Sequence, residues 1–149
     1  VEANPSDAPG RLDGSVAAVE RFLREMSGLA GQDSESRVTP VLELRFGDVL
    51  TLSSVIADTA APGLGITAFL PRRSQPDYGS MTSAQSAMQL SFAGETELLW
   101  HAEEGRYVLT RKILLTDFPD ERSVLDAILD TADKAWEMHL SLPDAGSSR

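Results

Sequence analysis

Few side chains in this sequence could do chemistry. Its 149 residues include two histidines and no cysteine, which excludes disulfide frameworks and thiolate zinc sites. His101 falls in a strand-like stretch and His139 in the last helical pattern, and neither has a carboxylate or nucleophile at motif spacing. A general base needs such a positioned partner. Gly63-Leu64-Gly65 lacks the third glycine and the strand-then-helix setting of a dinucleotide loop, and no Walker, GxSxG or HExxH sequence occurs. Asp126, Asp130, Asp133 and Glu137 are spaced four, three and four apart, which puts them on one helix face. Carboxylates on one face project outward side by side and supply too few converging oxygens for calcium or magnesium. They read as a solvated acidic ridge with only Lys134 nearby to offset it, and Glu103-Glu104 reads as a polar turn. The chain is expected to hold no metal and no cofactor, and no residue is nominated as catalytic, so it is not expected to be an enzyme.

The ridge belongs to the strongest element, a helix expected over 117–140. Pro119 near the first helical position and the acids Asp117, Asp120 and Glu121 suit a helix start. Leu125, Ile128, Leu129, Ala132, Trp136 and Leu140, widened by Val124, Ala135 and Met138, form the expected buried face. Ahead of it, 97–102 and 107–115 make a hairpin around Glu103-Glu104-Gly105-Arg106. Near the start, Leu12, Val16, Val19, Leu23, Met26 and Ala30 make a heptad-like seam, a helix of about sixteen residues capped by Asp13 or Ser15 and closed by Gly31. Phe22 and Leu29 lie beside the seam, and two readings are open for them: they join the core, or they line a groove for a partner. Leu42, Leu44 and Phe46 alternate with Glu43 and Arg45 as a half-buried strand, 49–56 is a second strand, 57–65 a loop and 66–70 a third strand ended by Pro71. Residues 82–92 fit either a short helix or a strand. The order α-β-β-β-α-β-β-α makes the fold α+β, an antiparallel twisted sheet of about five strands with helices on one side.

Composition sets the class. Hydrophobic residues at 42% and charged residues at 24% describe a globular chain, and 12–142 is read as a single domain between a flexible segment at 1–11 and a disordered tail at 143–149. A formal charge of -10 and a pI near 4.5 repel phosphate backbones and anionic lipid, so neither nucleic-acid binding nor membrane insertion is expected. No apolar run approaches the roughly 18 residues of a membrane span, and the start is polar, so the expected location is the cytoplasm.

With the elements in order, the chain resembles the class I type III secretion chaperones, the family of the Tir and Yop effector chaperones, with a likeness to export-control chaperones of the HpaB kind. The resemblance is carried by Ala87-Met88-Gln89-Leu90-Ser91-Phe92, by Glu97-Leu98-Leu99-Trp100-His101-Ala102-Glu103-Glu104-Gly105-Arg106-Tyr107-Val108-Leu109-Thr110-Arg111, and by Leu125, Leu129, Ala132, Ala135 and Trp136. These look like the family's short second helix, late hairpin and terminal helix. Over 14–71 the likeness is of element order, and the family's asparagine-containing second helix is matched here by Ser83-Ala84-Gln85-Ser86-Ala87-Met88-Gln89, without asparagine.

The resemblance implies a homodimer that binds the N-terminal regions of secreted effector proteins without turnover, with the secretion ATPase as a further partner. Carried over by position, it implies Met88, Phe92 and Leu99 at the dimer interface and Phe22, Met26, Leu29, Leu44 and Phe69 against the effector. A competing reading from the charge pattern is an acidic inhibitor or immunity protein, whose ridge at Asp126, Asp130, Asp133 and Glu137 would cover a basic partner.

Overall fold

The computed structural model describes residues 11–31, 39–57, 60–72 and 95–141. The described elements are α1 (Val16–Leu29), β1 (Leu42–Phe46), β2 (Val49–Ile56), β3 (Gly63–Arg72), β4 (Glu95–His101), β5 (Arg106–Leu114), a 3-10 turn (Leu115–Asp117) and α2 (Glu121–Ser141). All strand pairs are antiparallel, in the order β1-β2-β3-β5-β4, so the first three strands form the expected meander and β4-β5 the expected hairpin. Residues 82–92, read as a short helix or a strand, lie outside the described residues, as do 1–10 of the expected flexible segment at 1–11 and the tail; Arg11, the last residue of that segment, forms a bridge with Asp120.

Strand alternation decides which residues face the helices. Leu42, Val55, Leu64, Ile66 and Ile113 point to one face and pack with Val19, Phe22 and Leu23 of α1 and Val124 and Ile128 of α2. Farther along, Val49, Ala68, Leu70, Leu98, Tyr107 and Leu109 pack on Ala132, Ala135 and Met138 of α2. Both helices thus lie on the same face, α1 against β1 and β2 and α2 against β2, β3 and β5. This α+β arrangement is the one the element order implied.

One local expectation is settled and three change. Helix α1 begins at Val16 with Ser15, one of the two expected caps, because Ser15 Oγ accepts the Ala18 amide at 3.2 Å while Asp13 Oδ1 accepts the Ser15 amide at 3.0 Å. Its end agrees with the reading of Gly31, whose φ of 77° lets its amide reach the Gly28 carbonyl at 3.1 Å.

Helix α2 begins at Glu121 rather than near Asp117. Asp120 is its cap: Ser123 N donates to Asp120 Oδ1 at 2.8 Å, and Asp120 N donates back to Ser123 Oγ at 3.4 Å. Pro119 therefore sits outside the helix, where its carbonyl accepts the Leu12 amide at 3.0 Å and ties the two helix entries together.

Strand β3 starts at Gly63, not at Ile66, so Gly63 and Gly65 are strand residues. They permit close approach by neighbouring side chains: a Cβ on Gly65 would come within 2.9 Å of Ile56 Cδ1, and one on Gly63 within 2.9 Å of Lys112 Cε. Pro71 does not end the strand, since the register shifts between Phe69 and Arg72 and the missing amide hydrogen falls in that irregularity.

The buried face of α2 is the third change. Val124, Ile128, Thr131, Ala132, Ala135 and Met138 are buried, whereas Leu129, Trp136 and Leu140, expected in that face, are exposed. The apolar arc of α2 is wider than one sheet can cover, and its edge is left outside.

Candidate functional site

The sheet face turned away from the helices carries the most organised surface. Cross-strand register places Leu50 of β2 opposite Phe69 of β3, Phe69 opposite Val108 of β5, and Val108 opposite Leu99 of β4. One apolar side chain from each of four adjacent strands thus forms a straight row across the sheet. With strands about 4.8 Å apart, the row is about 14 Å long. Val108 is buried, Leu50 and Phe69 are half-buried and Leu99 is exposed. Leu52, Ile56 and the exposed Leu114 add apolar area on the same face.

A basic line of residues runs alongside this row, one step farther along the strands. After the register shift Arg72 pairs with Arg106, and Arg106 with His101. The Arg106 guanidinium carbon lies 4.5 Å from the centre of the Phe69 ring, a cation–π contact, and its Nη2 also pairs with Glu104. The hairpin turn holds Glu104 there, because its amide donates to His101 Nδ1 at 3.3 Å and the Gly105 amide donates to the His101 carbonyl at 2.9 Å. Phe69 therefore has Leu50 and Val108 opposite it on its two neighbouring strands and a cation over its ring.

The sheet also ends in two edges. Among the described residues β1 pairs only with β2, and β4 only with β5, so each offers a row of backbone donors and acceptors. An extended segment can extend such an edge by main-chain pairing while its alternate side chains enter apolar sites.

The residues carried over from the family resemblance fall in two places. Phe69 and Leu99, expected in different interfaces, stand in the same outer row. Phe22, Met26 and Leu44 stand together on the other face, in the cluster beneath α1. Phe22 is 5% exposed there and belongs to the core, and Met26 and Leu44 are half-buried against it. Leu29 is 83% exposed at the end of α1. Met88 and Phe92 lie outside the described residues. Sequence reading did not single out Leu50 or Val108; the alternation of 49–56 and 107–115 marked their strands, but only the strand order puts them in one line with Phe69.

The acidic ridge is less bare than its sequence suggests. Arg111 Nη1 lies 3.2 Å from Asp130 Oδ2, Arg122 Nε 3.9 Å from Asp126 Oδ2 and Lys134 Nζ 3.5 Å from Glu137 Oε2. Arg111 reaches α2 from β5, a contact that spacing along the helix cannot reveal. Burial pushes the Arg111 pKa below its ordinary value and the Asp130 carboxylate partly opposes this; the guanidinium links β5 to α2 through Asp130 and Thr131. Among the described residues no cluster of three or more histidines or carboxylates could hold a metal ion, and no helix is long and apolar enough to cross a membrane.

Comparison with solved structures gives this architecture a precedent. The chain aligns with a chain of the ExsC–ExsE complex at a TM-score of 0.62 and 18% identity, over 87% of this chain and 97% of that one. It aligns with a chain of the HopA1–SchA chaperone–effector complex at a TM-score of 0.52 and 12% identity, over 87% and 98%. This is the class I type III secretion chaperone fold. At these identities the likeness is one of fold, and it spans nearly the whole of each neighbour. No protein-family profile matches the sequence, and no curated protein does.

Proposed function

We propose that this protein is a cytoplasmic type III secretion chaperone that binds the N-terminal segments of effector proteins as a homodimer and keeps them secretion-competent. The observation that carries this reading is the row Leu50, Phe69 and Val108, continued by Leu99 on the outer strand, on a sheet whose outer strands β1 and β4 pair only inward among the described residues, in a chain with the chaperone fold. An extended segment rises about 3.3 Å per residue, so four or five residues cross a row of about 14 Å and set two or three side chains on it. Each fully buried apolar side chain contributes roughly 1.5 to 3 kcal/mol, and several such anchors offset the ordering of a long client segment. Binding, not turnover, is the work, which needs no catalytic group and no nucleotide in the chaperone itself.

Within this reading Leu99, where the row reaches the outer strand β4, joins Met88 and Phe92 at the dimer interface and bounds the client site, and Phe69, between Leu50 and Val108, meets the client with Met26, Leu29 and Leu44. Phe22 acts from beneath, as the core residue on which α1 sits. The secretion ATPase is the partner that would receive the loaded dimer.

The test is capture of the tagged protein from its native cytosol, with bound proteins identified and the mass of the free protein measured. The expected results are secreted effectors held through their N-terminal regions and a free mass of about 32 kDa, twice 16.1 kDa. A monomer holding a single basic toxin would overturn the proposal.

A further inference from the structure

A second exposed apolar surface lies on α2. Leu129, Trp136 and Leu140 are 45%, 40% and 66% exposed, and their spacing of seven and four residues puts them on one stripe about 16 Å long. The Trp136 ring is held in place against His139, with centroids 5.3 Å apart. The stripe has an acidic border: Asp133 follows Leu129 by four residues and precedes Glu137 by four, and both are exposed. Among the described residues Asp133 makes no ion pair, while Lys134 reaches Glu137 only from the flank. Across Glu121–Ser141 five carboxylates stand against Arg122 and Lys134.

We propose that this stripe is a docking surface for a basic amphipathic helix of a partner protein. Its apolar side chains would pack on Leu129, Trp136 and Leu140, and its lysines or arginines would meet Asp133 and Glu137. A straight stripe of three turns matches the apolar seam of another helix, whereas the row on the sheet crosses strands and matches an extended segment. Charge selects the partner. A second copy of α2 would bring the same acidic border against this one, and an anionic lipid surface would be repelled, but a basic helix is attracted at both its apolar seam and its flank. This surface is separate from the client site on the sheet, and either assignment can fail without the other.

The test uses the full chain and a fluorescein-labelled helical peptide of leucine and lysine, about 18 residues long, with its leucines on one face. One control replaces every lysine with glutamate; the other keeps the composition but scrambles the order so that no apolar face forms. Fluorescence anisotropy should show the basic amphipathic peptide binding at least about tenfold more tightly than either control. Leu129→Ser with Leu140→Ser, and separately Asp133→Lys with Glu137→Lys, should each weaken it by about tenfold. Binding to the unaltered chain should also weaken as salt rises to about 0.5 M. In a Trp100→Phe background, Trp136 emission should shift to the blue when the peptide binds, which decides the matter even where a double variant fails to fold. Equal binding of the scrambled or glutamate peptide, unchanged binding by folded double variants, or an unmoved Trp136 spectrum would overturn the proposal. So would self-association that Leu129→Ser with Leu140→Ser abolishes, because the stripe would then belong to a second copy.

Discussion

The two exposed apolar surfaces of this protein lie on opposite sides of the sheet and differ in both geometry and border. The row Leu50, Phe69, Val108 and Leu99 takes one residue from each of four strands and is flanked by Arg72, Arg106 and His101. The stripe Leu129, Trp136 and Leu140 runs along one helix and is edged by Asp133 and Glu137. A net charge of -10 therefore says little about either site. What a partner meets is local: a basic corner beside a flat row that suits an extended segment, and an acidic edge beside a ridge that suits a helix. The row is held by hydrogen-bonded strands, so its spacing is fixed before binding, and the stripe inherits its position from the buried side of α2.

The largest expected effect separates folding from both surfaces. Phe22→Ala should cost about 3 to 5 kcal/mol of folding stability, read by denaturant melts, because Phe22 fills the core between α1 and the sheet. A loss confined to client binding at unchanged stability would instead make Phe22 a contact residue. Next, Phe69→Asp should cost client binding more than about 2 kcal/mol in calorimetry while shifting the melting temperature little, since it puts a charge in the middle of the row. If that change spares the client and Leu129→Ser with Leu140→Ser abolishes it, the roles of the two surfaces are reversed.

A smaller effect should come from Arg111→Met. It removes the donor to Asp130 Oδ2 and Thr131 Oγ1 and should cost about 1 to 2 kcal/mol in chemical denaturation, while tightening the basic peptide on α2 by uncovering a carboxylate. Unchanged stability would show that α2 is held by apolar packing alone.

The smallest effect concerns pH. The hydrogen bonds from Ser15 hold the Asp13 carboxyl below its ordinary 3.8. A lowered folded pKa means that the contribution is present above that value and lost as pH falls through the folded pKa. The melting difference between the unaltered chain and Asp13→Ala should therefore be seen at neutral pH and shrink in acid below that point; a difference that persists in acid would show that the carboxylate is not the acceptor that matters.

The fold was legible where one element's own pattern decides its packing. Leu42, Leu44 and Phe46 alternate, and β1 follows; the hairpin around Gly105 and the seam of α1 read equally directly. Elements failed to read where the deciding contact comes from elsewhere in the chain. Gly63 and Gly65 look like loop punctuation until Ile56 and Lys112 are seen lying across them. Pro119 looks like a helix start until the Asp120 and Ser123 cap places it outside. Trp136 and Leu140 look like core because periodicity shows an apolar arc but not how much of it the sheet covers. The site behaves in the same way. Phe69 and Leu99 were found through the family resemblance, but their shared row depends on β5 lying between β3 and β4, an order that no local pattern encodes.

The central claim is that the outer row holds the N-terminal segments of secreted effectors. The most direct measurement replaces Phe69 with a photo-crosslinking benzoylphenylalanine, irradiates the native cytosol and identifies the peptides joined to position 69. The expected result is crosslinks to N-terminal segments of secreted proteins, competed away by excess unlabelled chain. Crosslinks only to proteins that are not secreted, or none from a folded and irradiated chain, would contradict the account.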